Sequence, residues 1–330
     1  MFSIISKLLG VGALLFAGIG LLAIRPAQSA AINLSITEFP TNGQPQYITL
    51  GPDGNLWFTE FNAIGQITSN GVVTEFPLPN GSSDPHAITA GPDGDVWFTL
   101  PHQNKVGRIS STGVITEISD ITGAMGITSG PDGNLWITQS SDYIAQITTT
   151  GIITAFPIAP ESYPDVITLG ADGNLWYVIT VAYKGGNKIG RITTTGVYTE
   201  FNIPTWASGI SDLTAGQDGN IWFSESWASK IGRITPGGVV TEFELPLTSS
   251  GIHEWPGGIS PGPDGDFWFS GFQIGRITVS GQASYINAML SSGPDDIVAG
   301  PDGNIWFTEY YGQKIGRLKI YRSFLPMIAR

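Results

Sequence analysis

Between residues 45 and 79 the chain reads PQYITLGPDGNLWFTEFNAIGQITSNGVVTEFPLP, with its apolar positions in four short runs divided by turn residues. YITL reads as a strand. Pro52-Asp53-Gly54 follows as a turn, proline presetting φ and glycine accepting a positive one. NLWFTE, apolar at Leu56 and Phe58, is a second strand, and AIGQITS a third. Asn70-Gly71 is a hairpin turn, after which VVTEFPL makes a fourth strand. Short apolar runs between tight turns, with no helical stretch, predict a four-stranded antiparallel meander.

The same pattern returns along the whole chain. GPDGNLWFTE at 51–60 reappears as GPDGNIWFTE at 300–309, with five variants between. Their tryptophans are Trp57, Trp97, Trp136, Trp176, Trp222, Trp268 and Trp306, spaced by 40, 39, 40, 46, 46 and 38 residues. A period near 40 with four strands per unit is the signature of propeller blades. Third strands such as KVGRISS and KIGRITT also occur seven times. Fourth strands follow them only six times, the sixth being the degraded QASYI at 282–286. A seventh, SITEF at 35–39, stands alone before the first unit. The expected fold is therefore all-β, a seven-bladed β-propeller over residues 31–320. Its N-terminal strand completes the last blade and leaves no open edge. The seven repeated tryptophans are core elements between sheets, and each PDG aspartate is a turn former rather than a calcium ligand.

Residues 1–30 do not fit the repeat. Lys7 precedes an apolar run at 8–24, and small residues around Ala27-Gln28-Ser29 suit cleavage there. The segment reads as a signal peptide, so the chain is expected to be exported, with no stable membrane insertion after cleavage. The alternative is a retained anchor. The tail at 321–330 has no assigned role. The chain carries a net charge of −12 and no cysteine. That balance excludes nucleic acid as a partner and leaves stability to burial rather than disulfides. A monomer is expected.

In such a meander the PDG and NG turns share one face. The loop after each tryptophan strand and the crossing between blades share the other, which is longer and less regular. Function on a rigid frame concentrates in such loops. His86, His102 and His253, and the non-repeat Trp206, Trp227 and Trp255, all fall there. Repeat geometry groups Trp206, Asp212, Glu225, Trp227, His253, Glu254 and Trp255 around the fifth blade as a candidate ligand site. Exposed indoles beside carboxylates suit a glycan, a cyclic peptide or another small molecule. The plain alternatives are tryptophans that pack the crossings down and carboxylates that are merely solvated. Asp165, Asp212, Asp295 and Asp296 open inner strands that converge on the axis. They are the candidates for a divalent cation, magnesium or calcium. Gly258-Ile259-Ser260-Pro261-Gly262 matches G-x-S-x-G but lacks the following helix of a nucleophile elbow.

Units of the form P-H-A-I-T-A-G-P-D-G-x-x-W-F-T, then N-K-x-G-R-I, then G-x-x-T-E-F-x-L-P, resemble the streptogramin B lyases (virginiamycin B lyases) over residues 35–320. The resemblance implies a seven-bladed propeller that linearises a cyclic depsipeptide by elimination at its ester bond. It implies a magnesium ion polarising the substrate and a histidine as general base. The family pattern asks for two Pro-His motifs in consecutive crossings, a glutamate before the second, and another in that blade's post-tryptophan loop. Asp84-Pro85-His86 matches the first motif. The next crossing offers Met125, Thr122-Gly123 and then Gln139-Ser140 at the other positions. His86 is thus the one matched catalytic candidate, and it lies away from the last two blades, where the family places the pair. The leading expectation is an exported propeller that binds a ligand or partner on its irregular face. The alternatives are a metal-dependent lyase or lactonase with rearranged residues, or a cell-surface scaffold.

Overall fold

The computed structural model of the protein describes residues 35–180, 187–248, 250–286, 290 and 292–320. The expected leader and the tail lie outside them. Seven four-stranded antiparallel sheets form the blades of a seven-bladed β-propeller. Blade 1 comprises Ile48–Leu50, Leu56–Glu60, Ala63–Ile67 and Val73–Pro77. Blades 2 to 6 repeat it in order, and the degraded fourth strand of blade 6 does form, as Ala283–Tyr285. Blade 7 takes Ile297–Ala299, Ile305–Glu309 and Lys314–Lys319, then Ser35–Pro40 as its outer strand. Ser35 pairs with Lys319 and Pro40 with Lys314, so the closure expected from the strand ledger is present. Neighbouring inner strands touch all the way round, the last against the first.

The PDG aspartate does more than turn the chain. Asp53 Oδ1 accepts the Asn55 N–H at 3.1 Å and the Trp57 indole N–H at 3.0 Å. The same bond links Trp97 to Asp93, Trp176 to Asp172 and Trp306 to Asp302, each at 3.0 Å. Partial burial pushes the Asp53 carboxyl up, but these donors outweigh it and hold the group below its ordinary range. The third strand adds an arginine over the ring, as with Arg317 at 5.2 Å from Trp306. The fourth strand adds a stacked phenylalanine, Phe39 on Trp306 and Phe76 on Trp57 at 5.6 and 5.7 Å. Each indole is thus fixed at its nitrogen and carries an arginine, a phenylalanine or both on its faces, and each is fully buried or nearly so.

A second pairing sets blade thickness. The residue after each tryptophan lies across from a glycine of the third strand, as in Phe58 with Gly65 and Phe223 with Gly232. A Cβ on Gly232 would stand 2.0 Å from the Phe223 ring. Blade 3 swaps both members, placing Ile137 opposite Ala145. The smaller aliphatic side chain leaves room for a methyl group.

The crossings on the irregular face are held by glutamates from two sides. The T-E-F glutamate of the outer strand clamps the crossing that leads into its own blade. Glu242 accepts Thr205 N at 2.9 Å and Thr205 Oγ1 at 2.7 Å, and Glu75 accepts Asn42 N at 2.8 Å. The post-tryptophan glutamate reaches the same crossing from within. Glu60 accepts Gly43 N at 3.2 Å, Glu309 accepts Ser292 N at 3.3 Å, and Glu225 lies against Ser208. All three inner glutamates are buried. Burial, and then the outer glutamate, raises Glu60 and Glu225 from 4.5 to about 7.

Two outcomes follow from this packing. Gly232→Ala is expected to cost about 1–3 kcal/mol by overpacking. Ala145→Gly is expected to cost only about 0.5–1 kcal/mol. Urea unfolding of both variants checks this, and equal midpoints would remove the ring–glycine contact as the constraint. The raised glutamates also give a pH dependence. The folded chain binds more protons than the unfolded one between 4.5 and about 7, so stability falls as pH rises through that window. The Glu60→Gln, Glu225→Gln double variant should show a shallower fall in melting temperature across it. A slope equal to that of the parent protein would refute the assignment.

Candidate functional site

The inner strands bring their first residues to the propeller axis, where they line a channel cavity of about 320 Å³. At the histidine position Gln46, His86, Asp165, Ser211, Gly257 and Asp295 line it in six blades, and the third blade has Met125 there. In the next slot stand Tyr47, Ala87, Gly126, Val166, Asp212, Gly258 and Asp296. That slot is small or aliphatic in four blades and bulky or charged in three, and the three exceptions define the site.

Two of them are rivets between blades. Asp212 Oδ1 accepts Leu213 N at 2.8 Å, while Oδ2 accepts Ile259 N of the next blade at 2.7 Å. Asp296 accepts Ile297 N and, across the ring closure, Ile48 N, both at 2.8 Å. Burial pushes Asp212 up to about 7, despite the two backbone donors. It raises Asp296 well above the usual range, with the Asp212 charge adding to the effect. Asp165 and Asp295 are also raised by burial. The four carboxylates expected to hold a divalent cation do line one channel, but two spend both oxygens on backbone N–H groups. Among the described residues no group of three or more His, Cys, Asp or Glu side chains is placed to hold a metal ion. The donor set does not fit the magnesium ion that the resemblance implies.

Tyr47 is the third exception. Its hydroxyl and His86 Nε2 share a hydrogen bond of 2.7 Å, with ring centroids 4.5 Å apart. Burial, and then the charges of Asp165, Asp296, Asp295 and Asp212, raises the phenol well above its ordinary value. Burial lowers the His86 imidazole, with Asp165 opposing. Both shifts keep the pair neutral, and the imidazole tautomer sets which of the two donates. Nearby, His102 Nε2 lies 3.1 Å from Asp84 Oδ2.

Above the channel a depression of about 750 Å³ opens on the irregular face. Its walls include Tyr47, Asp84 and His86 on one side, and Trp255, Phe272, Asp295, Tyr310 and Tyr311 on the other. Trp255 is 59% exposed and stands 6.2 Å from Phe272, centroid to centroid; Tyr310 and Tyr311 meet edge to face at 5.0 Å. Glu254 is fully buried beneath them and accepts the Trp255 N–H at 3.3 Å and the Phe272 N–H.

The group expected around blade 5 is therefore divided. Trp255 belongs to the depression, whose walls include neither Trp206 nor Trp227. Trp206 and Trp227 remain exposed on blade 5, and His253 is exposed. Asp212 lines the channel and accepts two backbone N–H groups, Glu254 is buried and accepts the Trp255 and Phe272 N–H groups, and Glu225 is buried against Ser208. Tyr47, Phe272, Tyr310 and Tyr311 were missed. The out-of-pattern slot at Tyr47 was the available signal for the first. The others are loop residues whose meeting depends on the ring.

A profile of the Virginiamycin B lyase family matches residues 29–122 and 119–270. A streptogramin B lyase of known structure is 34% identical, covering 87% of this chain and 98% of its own, with a TM-score of 0.79. A catalytically inactive histidine-to-alanine variant of virginiamycin B lyase from Staphylococcus aureus, solved with quinupristin, is 36% identical. It covers 87% of this chain and 100% of its own, with a TM-score of 0.78. The virginiamycin B lyase of Bordetella parapertussis is 47% identical over 53 residues, 14% of this chain. That match spans only 17% of the relative's own length. With a profile match over most of its length and a shared seven-bladed architecture, the chain belongs to the virginiamycin B lyase family.

Proposed function

We propose that the protein is an exported propeller that binds a cyclic peptide ligand in the aromatic depression over its channel. The observation that carries this reading is the depression itself. Its volume falls in the range of small-molecule sites, about 300–1,000 Å³. Flat aromatic faces at Trp255, Phe272 and Tyr311 surround a few convergent polar groups, Asp84, His86 and Asp295. Aromatic walls take apolar side chains of a macrocycle, and the carboxylates accept its amide hydrogens. A solved relative of similar size was crystallised with quinupristin. The apolar run at 8–24 supports export.

A second reading, elimination, is favoured by one observation: the neutral His86 imidazole held by Tyr47 at the depression wall. A neutral imidazole is competent to remove a proton. In that reaction the proton adjacent to the ester-bearing carbon passes to the base. The C–H electrons form a C=C bond, the C–O bond breaks, and a carboxylate leaves within the same molecule. Met125 and Gln139 supply neither a second base nor a carboxylate, which sets this reading behind simple binding.

Calorimetric titration of quinupristin tests both. Saturable binding is expected, with Trp255→Ala weakening it about tenfold or more. Chromatography after prolonged incubation separates the outcomes. Unchanged ligand supports binding, a ring-opened isomer of unchanged mass supports elimination, and a product heavier by one water supports a hydrolase. No binding, or binding indifferent to Trp255→Ala, refutes the depression as the site.

A further inference from the structure

We infer that the protein carries a second binding site, for neutral oligosaccharides, on a rigid pair of exposed indoles at blade 5. Trp206 and Trp227 are 74% and 72% exposed, the most open of the chain's tryptophans. A loose loop would account for such exposure, but these loops are pinned. Thr205, one residue before Trp206, is held by Glu242 through both its N–H and its hydroxyl, and Lys230 Nζ donates to that hydroxyl at 2.9 Å. Ser208, two residues after Trp206, is fully buried. Its carbonyl accepts the Trp227 N–H at 3.0 Å and the Ala228 N–H at 3.3 Å. The two indoles therefore spring from one knuckle. The α-carbons of Trp206 and Ser208 are at most about 7.6 Å apart, two trans peptide steps.

The knuckle is shaped for the ring it carries. Ala207 and Gly209 both adopt positive φ, 51° and 65°, which reverses the chain sharply. Gly209 lies against the Trp227 indole so closely that an added Cβ would stand 2.6 Å from the ring. One face of Trp227 rests on backbone where a side chain would have lifted it, and the other is open. Core packing does not account for such a ring. The seven repeat tryptophans each give their N–H to a turn aspartate and are buried. An exposed indole fixed in orientation loses little entropy when it meets a flat apolar surface.

The chemistry around the knuckle selects the ligand class. Ser211 and Ser226 hydroxyls stand beside it, joined to each other and to the Pro256 carbonyl. Glu244 is exposed, and Lys230 is engaged by Glu242 and Glu244 at 3.1 and 3.0 Å. The chain as a whole carries a net charge of −12, which disfavours anionic polymers. A pyranose ring offers an apolar C–H face to stack on an indole and hydroxyls for serine and glutamate. Two indoles on one knuckle would engage neighbouring sugars of a chain.

The site is independent of the aromatic depression, and the experiment keeps them apart. The full chain is titrated by calorimetry with cellohexaose, chitohexaose and mannohexaose, and with a heparin hexasaccharide as anionic control. At least one neutral hexasaccharide is expected to bind. Trp227→Ala and Trp206→Ala should each weaken it about tenfold or more. Trp255→Ala should leave it unchanged, and a thermal melt should show both variants folded. Absence of binding by all three neutral sugars overturns the inference. So does binding that survives both substitutions, or a preference for heparin. A concentration-dependent dimer in sedimentation that Trp227→Ala abolishes also overturns it, because the indoles would then be a self-interface.

Discussion

Each blade depends on one indole fixed at its nitrogen. The aspartate four residues upstream closes the PDG turn and accepts the tryptophan N–H with the same carboxylate. A buried indole without that partner would leave a polar group unsatisfied, and a turn without the indole would lose its internal brace. The arginine and phenylalanine on the ring faces then tie the second strand to the third and fourth. The glycine before the turn fits only because it has no side chain; a Cβ at Gly51 would stand 2.3 Å from the Trp57 ring. Ten residues thus encode a local unit that is correct wherever it is placed, which explains why the chain repeats it so literally.

Rigidity at that face leaves the other free to vary. The crossings differ in length and sequence, yet inner and outer glutamates pin several of them to the blades they lead into. A crossing held in this way can expose aromatic side chains without becoming mobile. Trp206 is open on such a crossing, with Glu242 holding Thr205 and Glu225 buried against Ser208. Carboxyl groups sit under the surface and apolar area on it, the reverse of an ordinary loop.

The blade count, the strand ledger and the closure by residues 35–40 were legible in the sequence, because each rests on periodicity and turn chemistry. The irregular face was legible too, as the place where the pattern breaks. Which residues meet there was not. Asp212 and Trp255 flank the same blade at its two boundaries, but one faces the axis and is consumed by Ile259 N–H, while the other lies beside Phe272 over the next blade. Tyr47 reaches His86 across a blade boundary, 39 residues away. Linear spacing carries no information about side chains that converge on an axis. What it does offer is the exception: a tyrosine or aspartate in a slot filled elsewhere by alanine, glycine or valine.

The shared last blade has a consequence for the order of folding. Glu38 and Lys314 meet 276 residues apart in the chain. Blades 1 to 6 can each form from contiguous sequence as it becomes available, a nearest-neighbour growth process. The final blade cannot, because its outer strand precedes everything else. That strand must wait unpaired until the end of the chain arrives. Closing so long a loop adds little entropy beyond closing a short one, since the cost grows only as the logarithm of length. The delay is therefore a matter of time rather than of stability. Through it, the edge of the third strand in blade 7 stays open, and the arrival of the N-terminal strand is the step that turns a growing arc of blades into a ring.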